Sequence, residues 1–151
     1  GHLQTNKAKL AVKYFDYIQT VDSLKLAKEI NKHAKTINKI QKILIQLNIA
    51  QEETKSGIDT TEVLILAEQF NEMENLSVQG LMCMPPFFDE PELARPYFRE
   101  LARLSQKIMD KGFEKIFMNH LSMGMSNDFR IAIQEGATMI RVGTSIFGER
   151  T

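Results

Sequence analysis

The chain has 151 residues, enough for one domain with a sizeable core, and its 43% hydrophobic and 25% charged residues are typical of a globular protein. Nineteen basic and nineteen acidic residues cancel, which argues against nucleic acid as the main partner, since a phosphate backbone selects for a basic excess. We expect no membrane span, because no apolar run approaches about 18 residues. A single cysteine, Cys83, excludes an internal disulfide. It suits a reducing cytoplasm, and we expect it to be a buried strand residue.

The first elements alternate between helix and strand. Residues 5–14 have the apolar spacing of a short amphipathic helix, and residues 17–21 predict a strand. Asp22 can be the N-cap of the next helix. A stripe of apolar residues predicts that this helix continues to about residue 38.

The middle of the chain repeats this alternation. A stretch with few charges, residues 42–49, predicts the second strand, and a polar loop over residues 50–58 follows it. Residues 59–62, Asp-Thr-Thr-Glu, have the spacing of a capping box and predict the start of a third helix. Residues 77–84 predict the third strand, which ends at the two prolines 85–86 because proline cannot donate to a strand ladder.

The last part predicts a long helix over residues 95–111, a fourth strand that begins at 115–118, a helix over 126–135 and a fifth strand over 137–142. Five alternations of strand and helix favour parallel βαβ units, and we expect one domain over residues 1–151. The pattern leaves a closed barrel and an open doubly wound sheet both possible. No G-x-G-x-x-G follows a strand, which counts mildly against a dinucleotide-binding sheet.

Two consecutive strand ends carry glycine and hydroxyl-bearing residues, at positions 122–126 and 141–145. Such neighbouring strand ends are where a (β/α)8 barrel usually builds a phosphate site. Ser126 would offer its hydroxyl at a helix start, and Gly143 and Thr144 would offer backbone N–H groups and a second hydroxyl. Gly124 would let the backbone approach a ligand closely. Taken alone, however, Ser126 is most simply an ordinary N-cap.

Arg141 is a charged residue inside an apolar strand. Because arginine is rarely buried without a partner, we expect it to face the barrel mouth or to pair with a carboxylate such as Asp128. Local features do not separate these two interpretations.

The other polar residues carry weaker signals. Lys7, Lys55 and His33 are most simply solvated, whereas Asn48 and His120 lie at strand ends and can point either into a site or into a loop. No cluster of His, Cys, Asp and Glu has the spacing of a metal site.

Five segments together resemble the pyridoxal phosphate homeostasis proteins of the YggS/PROSC type: residues 1–7, 55–58, 80–82, 121–128 and 139–148. The resemblance runs in order over essentially the whole chain, and its Ser-Met-Gly-Met-Ser-x-Asp and Arg-x-Gly-x-x-Ile-Phe-Gly motifs are highly specific. It implies a (β/α)8 TIM barrel of the fold type III group, like the N-terminal barrel of alanine racemase. It also implies a protein that binds pyridoxal 5′-phosphate, has no established turnover, and buffers and delivers the cofactor.

The resemblance implies a cofactor site made of Ser122, Met123, Ser126, Arg141, Gly143 and Thr144. Ser126, Gly143 and Thr144 match the positions that hold the phosphate, and Ser122 and Met123 match residues that line the same loop. Arg141 matches the arginine that faces the pyridine nitrogen in the racemase group. An arginine there would keep that nitrogen unprotonated.

One part of the family pattern is missing. The Schiff-base lysine lies on the first barrel strand in a Val-Ser-Lys-like motif, and no such motif occurs in this sequence. Gly1 aligns near the end of the third barrel strand, so the chain resembles the C-terminal five βα units, an incomplete barrel. We do not assign the missing role to Lys7 or Lys55.

An incomplete barrel leaves strand edges open, so we expect the chain to associate with itself or with an N-terminal complement. Three other functions stay open: an amino-acid racemase or decarboxylase of the same barrel group, a barrel that binds another phosphate ester, and an inert fragment.

Overall fold

Five parallel strands form one sheet in the computed structural model, which describes residues 1–51 and 56–148, and their spatial order follows the chain order. The strands are β1 (Tyr17–Val21), β2 (Gln41–Leu47), β3 (Leu76–Cys83), β4 (Ile116–Met125) and β5 (Met139–Arg141). The helices are α1 (Ala8–Tyr14), α2 (Leu24–Thr36), α3 (Val63–Asn71), α4 (Arg95–Met109), α5 (Phe129–Gln134) and α6 (Thr144–Phe147), with single 3-10 turns at Thr5–Lys7 and Pro91–Ala94. The predicted order of strands and helices is therefore confirmed.

The hydrophobic core lies between the sheet and the helices that connect its strands. Ile43 and Ile45 of β2 point into it and are fully buried, together with Ile30 of α2 and Phe98 of α4. β2 has buried side chains on both faces, because Leu44 is also fully buried but lies outside this cluster. A strand covered on both faces explains the nearly continuous apolar run that predicted a parallel sheet.

The sheet is strongly curled. Neighbouring strands lie about 4.8 Å apart, so β1 and β4 would be separated by about 14 Å in a flat sheet. Instead, the hydroxyl of Ser122 on β4 lies 2.7 Å from Oε1 of Gln19 on β1. The rings of Tyr17 and His120, on the same two strands, meet edge to face at 5.7 Å between centroids. The five βα units therefore form a curled half-barrel with its helices outside.

The second helix begins one residue later than the sequence predicts. Ser23, not Asp22, is its N-cap, and its hydroxyl accepts a hydrogen bond from the backbone N–H of Leu26 at 3.3 Å. The Asp22 carboxylate instead lies 2.7 Å from Nδ1 of His2. Aspartate and serine both cap helices well, so the sequence alone does not distinguish them. The backbone path after β1 determines which of the two side chains reaches the helix.

The predicted capping box before α3 is also wrong. The helix begins at Val63, and its N-cap residue Glu62 makes no side-chain capping bond. The Asp59 carboxylate accepts hydrogen bonds from the backbone N–H of Thr61 at 2.7 Å and from its hydroxyl at 2.6 Å. These local bonds form an Asx-turn, which competes with the helical geometry that the box requires.

The boundary between β4 and α5 differs as well. β4 extends through Met125, and α5 begins at Phe129 rather than at Ser126. Residues 122–125, expected to form a loop, are therefore the last residues of a long strand. None of the described helices is long and apolar enough to cross a membrane.

A substitution at Gly80 tests how closely β3 packs against β4. Its φ is +155°, and a Cβ at this position would lie 1.9 Å from the carbonyl oxygen of His120. We expect Gly80→Ala to lower the free energy of unfolding by about 3 kcal/mol, because the backbone of β4 cannot move away without breaking the ladder. Gly143→Ala is the matched control, since Gly143 has a φ of −122° and a Cβ added there would meet nothing within 4 Å.

Urea unfolding of both variants measures the difference. Equal midpoints for Gly80→Ala and Gly143→Ala would contradict this description of the β3–β4 contact.

Candidate functional site

A cavity of about 370 Å³ lies at the carboxyl ends of β4 and β5. Four of the six predicted site residues line it: Ser126, Arg141, Gly143 and Thr144. The opposite wall comes from the segment after β3, where Pro86, Phe87 and Phe88 are the main contributors. The carboxyl ends of parallel strands meet on one side of the sheet, which explains why residues from separate strands converge here.

The hydroxyl of Ser126 is the centre of the polar part of this cavity. It accepts hydrogen bonds from the backbone N–H groups of Gly143 and Ser145, each at 3.2 Å. A hydroxyl has two acceptor lone pairs and one donor proton, so both lone pairs are used by the backbone after β5. The proton of Ser126 is left to donate to a further acceptor. Ser126 is therefore not the N-cap of α5, and it connects the ends of two strands instead.

The turn that carries Ser126 is fixed by its neighbours. The Asp128 carboxylate accepts a hydrogen bond from the backbone N–H of Met125 at 2.7 Å. The side-chain amide of Asn127 donates to the carbonyl oxygen of Phe88 at 2.8 Å, which ties this turn to the opposite wall. The position of the Ser126 hydroxyl is thus set before any ligand arrives.

Arg141 reaches across the strand ends with both terminal nitrogens. Its Nη1 donates to the hydroxyl of Ser122 at 2.6 Å, and its Nη2 donates to the carbonyl oxygen of Cys83 at 2.7 Å. No ion pair to Asp128 forms among the described residues, so that interpretation is wrong and Arg141 faces the cavity. Burial lowers the pKa of Arg141 from its usual value, and the nearby Cys83 and Asp128 oppose this shift without cancelling it.

Ser122 and Met123 do not line the cavity in the way that the resemblance implies. Ser122 is fully buried, and its hydroxyl bonds Arg141 and Gln19. The side chain of Met123 is fully buried in the hydrophobic core, on the helix side of the sheet. Their role at the site is therefore indirect in this structure.

Gly124 serves packing rather than ligand approach. A Cβ at this position would lie 2.6 Å from Cβ of Ala132 and 3.0 Å from Cα of Phe129, both in α5. The glycine thus lets α5 pack directly against β4, which corrects the expectation that its close approach serves a ligand.

Three contributors to the site were missed from the sequence. Gln19 accepts the Ser122 hydroxyl, Ser145 offers a backbone N–H, and Phe88 forms part of the opposite wall. A glutamine in the middle of the apolar strand Tyr-Ile-Gln-Thr-Val was the available signal for the first. The other two depend on contacts between segments far apart in the chain.

The remaining polar residues lie apart from this cavity. Lys7 is exposed, and His33 lies on α2 with Nε2 3.4 Å from a carboxylate oxygen of Glu29. His120 packs on Tyr17, as described above, and Asn48 lines a neighbouring cavity at the end of β2. Lys55 lies outside the described residues, among which no group of three or more metal-ligating side chains occurs.

Cys83 is buried, as the sequence predicted. Its side chain is fully inaccessible, and burial raises the pKa of the thiol to about 12. The thiol is therefore neutral, and it is the backbone carbonyl of Cys83 that serves the site.

Comparison with known proteins shows the family of the chain. The family model for the N-terminal domain of alanine racemase matches residues 1–151. The pyridoxal phosphate homeostasis protein of Aquifex aeolicus is 44% identical over 150 residues, which is 99% of this chain and 65% of that protein. The chain thus spans about two thirds of the length of such relatives.

Solved structures give the same result. PipY of Synechococcus elongatus PCC7942, solved without pyridoxal phosphate, superposes with a TM-score of 0.90 at 32% identity, covering 98% of this chain and 68% of PipY. The same protein with pyridoxal phosphate bound gives 0.87 at 31% identity over the same coverage. Alanine racemase from Clostridium difficile 630 shares the fold, with a TM-score of 0.76 at 19% identity over 99% of this chain and 40% of that one.

Proposed function

The chain belongs to the family of alanine racemase N-terminal domains and, within it, to the pyridoxal phosphate homeostasis proteins, and from that membership we propose that it binds pyridoxal 5′-phosphate reversibly. Its role in this proposal is to hold and release the cofactor for cofactor homeostasis. Because the chain spans about two thirds of its relatives, the proposal is limited to what its own residues can do.

The observation that carries the proposal is the Ser126 hydroxyl at the end of the cavity. Both of its lone pairs accept backbone N–H groups, so its proton is free to donate to a phosphate oxygen. Thr144 lines the same end and adds a second hydroxyl, and Gly143 lies beside it with its backbone N–H bonded to Ser126. No carboxylate other than Asp128 lines the described cavity, and that carboxylate already accepts a backbone N–H. These residues fit a phosphate group.

Arg141 fits the ring end of the same cofactor. Arginine only donates hydrogen bonds, so a ring nitrogen that faces it must accept and therefore stays unprotonated. When bound, the cofactor supplies an aldehyde and an electron-withdrawing ring, and an unprotonated nitrogen makes that ring a weaker electron sink. Weak activation is consistent with storage rather than turnover.

The residues around the cavity support the proposal of reversible binding. No lysine side chain lines it among residues 1–51 and 56–148. The described contacts of Lys39 and Lys42 lie elsewhere, with the end of α1 and over the Tyr17 ring. We therefore propose that hydrogen bonds, not a covalent bond, hold the cofactor on this chain. We also propose a reducing, cytoplasmic location, in keeping with the free thiol of Cys83.

Ser126→Ala tests the phosphate site. Loss of a hydrogen bond to a charged group costs about 1.5–3 kcal/mol, so we expect the dissociation constant for pyridoxal phosphate to rise about 10- to 100-fold. Ser145→Ala is the matched control, because Ser145 contributes its backbone N–H and its side chain does not line the cavity. Absorbance or fluorescence titration of the two variants and the unmodified chain measures the difference.

Borohydride reduction followed by mass determination completes this experiment. We expect no retained adduct, because no described lysine reaches the cavity. Equal affinity of Ser126→Ala and Ser145→Ala would contradict the phosphate site, and an adduct on a single lysine would contradict reversible binding.

The two outer strands carry the proposed partner interaction. β1 pairs only with β2, and β5 only with β4, among the described strands. Apolar side chains stay exposed at the β5 edge, where Phe147 is 86% exposed and Ile146 is 67% exposed. We propose that these edges associate with a second copy or with a polypeptide that supplies further βα units.

Sedimentation velocity at increasing protein concentration tests this association. We expect the sedimentation coefficient to rise with concentration, and the double variant Ile146→Ser/Phe147→Ser to reduce that rise by exposing less apolar surface. A monodisperse, folded monomer at every concentration would contradict self-association through these edges.

A further inference from the structure

We propose that Gln19 is a positioning residue that holds Arg141 in a fixed orientation through the hydroxyl of Ser122. The inference rests on the proposed function, because it concerns how the ring end of that site is arranged. It adds a residue from β1, the strand most distant from β5 in the sheet order.

The direction of the hydrogen bonds follows from the chemistry of the three groups. Nη1 of Arg141 only donates, so the Ser122 oxygen, 2.6 Å away, must accept. The single proton of Ser122 is then available for Oε1 of Gln19, 2.7 Å away. Only one arrangement of protons satisfies both contacts, so the relay has a fixed direction from Arg141 through Ser122 to Gln19.

Burial makes this direction important. Ser122 has no exposed surface, so its proton needs an acceptor within the protein, and Gln19 provides it. Without that acceptor the Ser122 hydroxyl rotates to donate its proton to another group. The lone pair that accepted from Nη1 of Arg141 then turns away. Arg141 would then keep only its second anchor, the bond from Nη2 to the carbonyl oxygen of Cys83 at 2.7 Å.

Two anchors on two nitrogens fix the plane of a guanidinium, whereas one anchor lets it swing. The plane of Arg141 decides where its remaining N–H groups point, and therefore whether one of them meets the nitrogen of a bound ring. Gln19 and Arg141 also line the same concave cavity of about 350 Å³, inside the half-barrel.

The choice of an amide has a further consequence. A glutamine accepts the serine proton without adding a charge, so Arg141 keeps its full positive charge for the ligand. A carboxylate at the same position would accept equally well and would place a negative charge two hydrogen bonds from the guanidinium. The neutral relay therefore orients the cation without neutralising it.

Gln19→Leu and Gln19→Glu separate orientation from folding. In protein without added ligand, we expect NMR of the Arg141 side chain to give separate Nη1 and Nη2 resonances in the unmodified chain. Gln19→Leu should merge them, because rotation about the guanidinium bonds becomes faster, and Gln19→Glu should keep them separate. Thr20→Val, the next residue on β1, is the matched control and should leave the spectrum unchanged.

Binding gives a second readout. We expect Gln19→Leu to weaken pyridoxal phosphate about fivefold, equivalent to a partly lost hydrogen bond, and to leave inorganic phosphate unchanged because Ser126 is untouched. A general loss of structure would weaken both ligands. Unchanged Arg141 resonances in Gln19→Leu would overturn the inference.

The two proposals fail in different ways. If the unmodified chain binds neither ligand, the proposed function fails while the NMR comparison still decides the role of Gln19. If Gln19→Leu does not fold, Ser122→Ala removes the same relay from its other end. Separate Nη1 and Nη2 resonances in folded Ser122→Ala would then overturn the inference.

Discussion

The burial of one guanidinium is the constraint on which this site depends. Arg141 lies at the end of β5 with most of its surface removed from water, and a cation in that position needs hydrogen-bond acceptors from the protein. The matches come from β3, through the Cys83 carbonyl, and from β4, through Ser122. The hydroxyl of Ser122 in turn needs an acceptor for its proton, and Gln19 of β1 provides it. Three separate strands are held together around one charge.

The hydrogen-bond network around Arg141 depends on the curl of the sheet. Gln19 and Ser122 meet only because β1 approaches β4 across the concave face. Gly80 permits that geometry, since a side chain there would collide with the backbone of β4. The hydrogen-bond partners of Arg141 are the neutral oxygens of Ser122 and Cys83. In the proposed binding mode the guanidinium faces the ring and the Ser126 hydroxyl faces the phosphate.

The sequence predicted the parts of this site that depend on strand order. Apolar strands separated by amphipathic helices imply a parallel sheet, and parallel strands place Ser126, Gly143, Thr144 and Arg141 at one edge. Their convergence around a cavity follows that prediction. The local pattern left a closed barrel and an open sheet both possible, because curvature depends on contacts between β1 and β4 that no local pattern encodes. The barrel was predicted from the resemblance to the family, and the curled half-barrel confirms it.

The details that failed share one physical cause. Ser126 has the local signature of an N-cap, but the backbone N–H groups after β5 use its lone pairs. Asp22 and Asp59 have the signature of helix caps, yet His2 and Thr61 occupy their carboxylates. In each case a polar side chain had several possible partners, and the tertiary structure selected one. Hydrogen-bond partners, unlike strand order, are a property of the whole fold.

The most direct test of the central claim is the 31P NMR spectrum of pyridoxal phosphate with the chain across pH 5–8. A free phosphate monoester titrates near pH 6. If the hydroxyls of Ser126 and Thr144 bind the dianion, its resonance should shift and should stop titrating over this range. A resonance that keeps the position and the titration curve of the free cofactor at saturating protein would contradict the account.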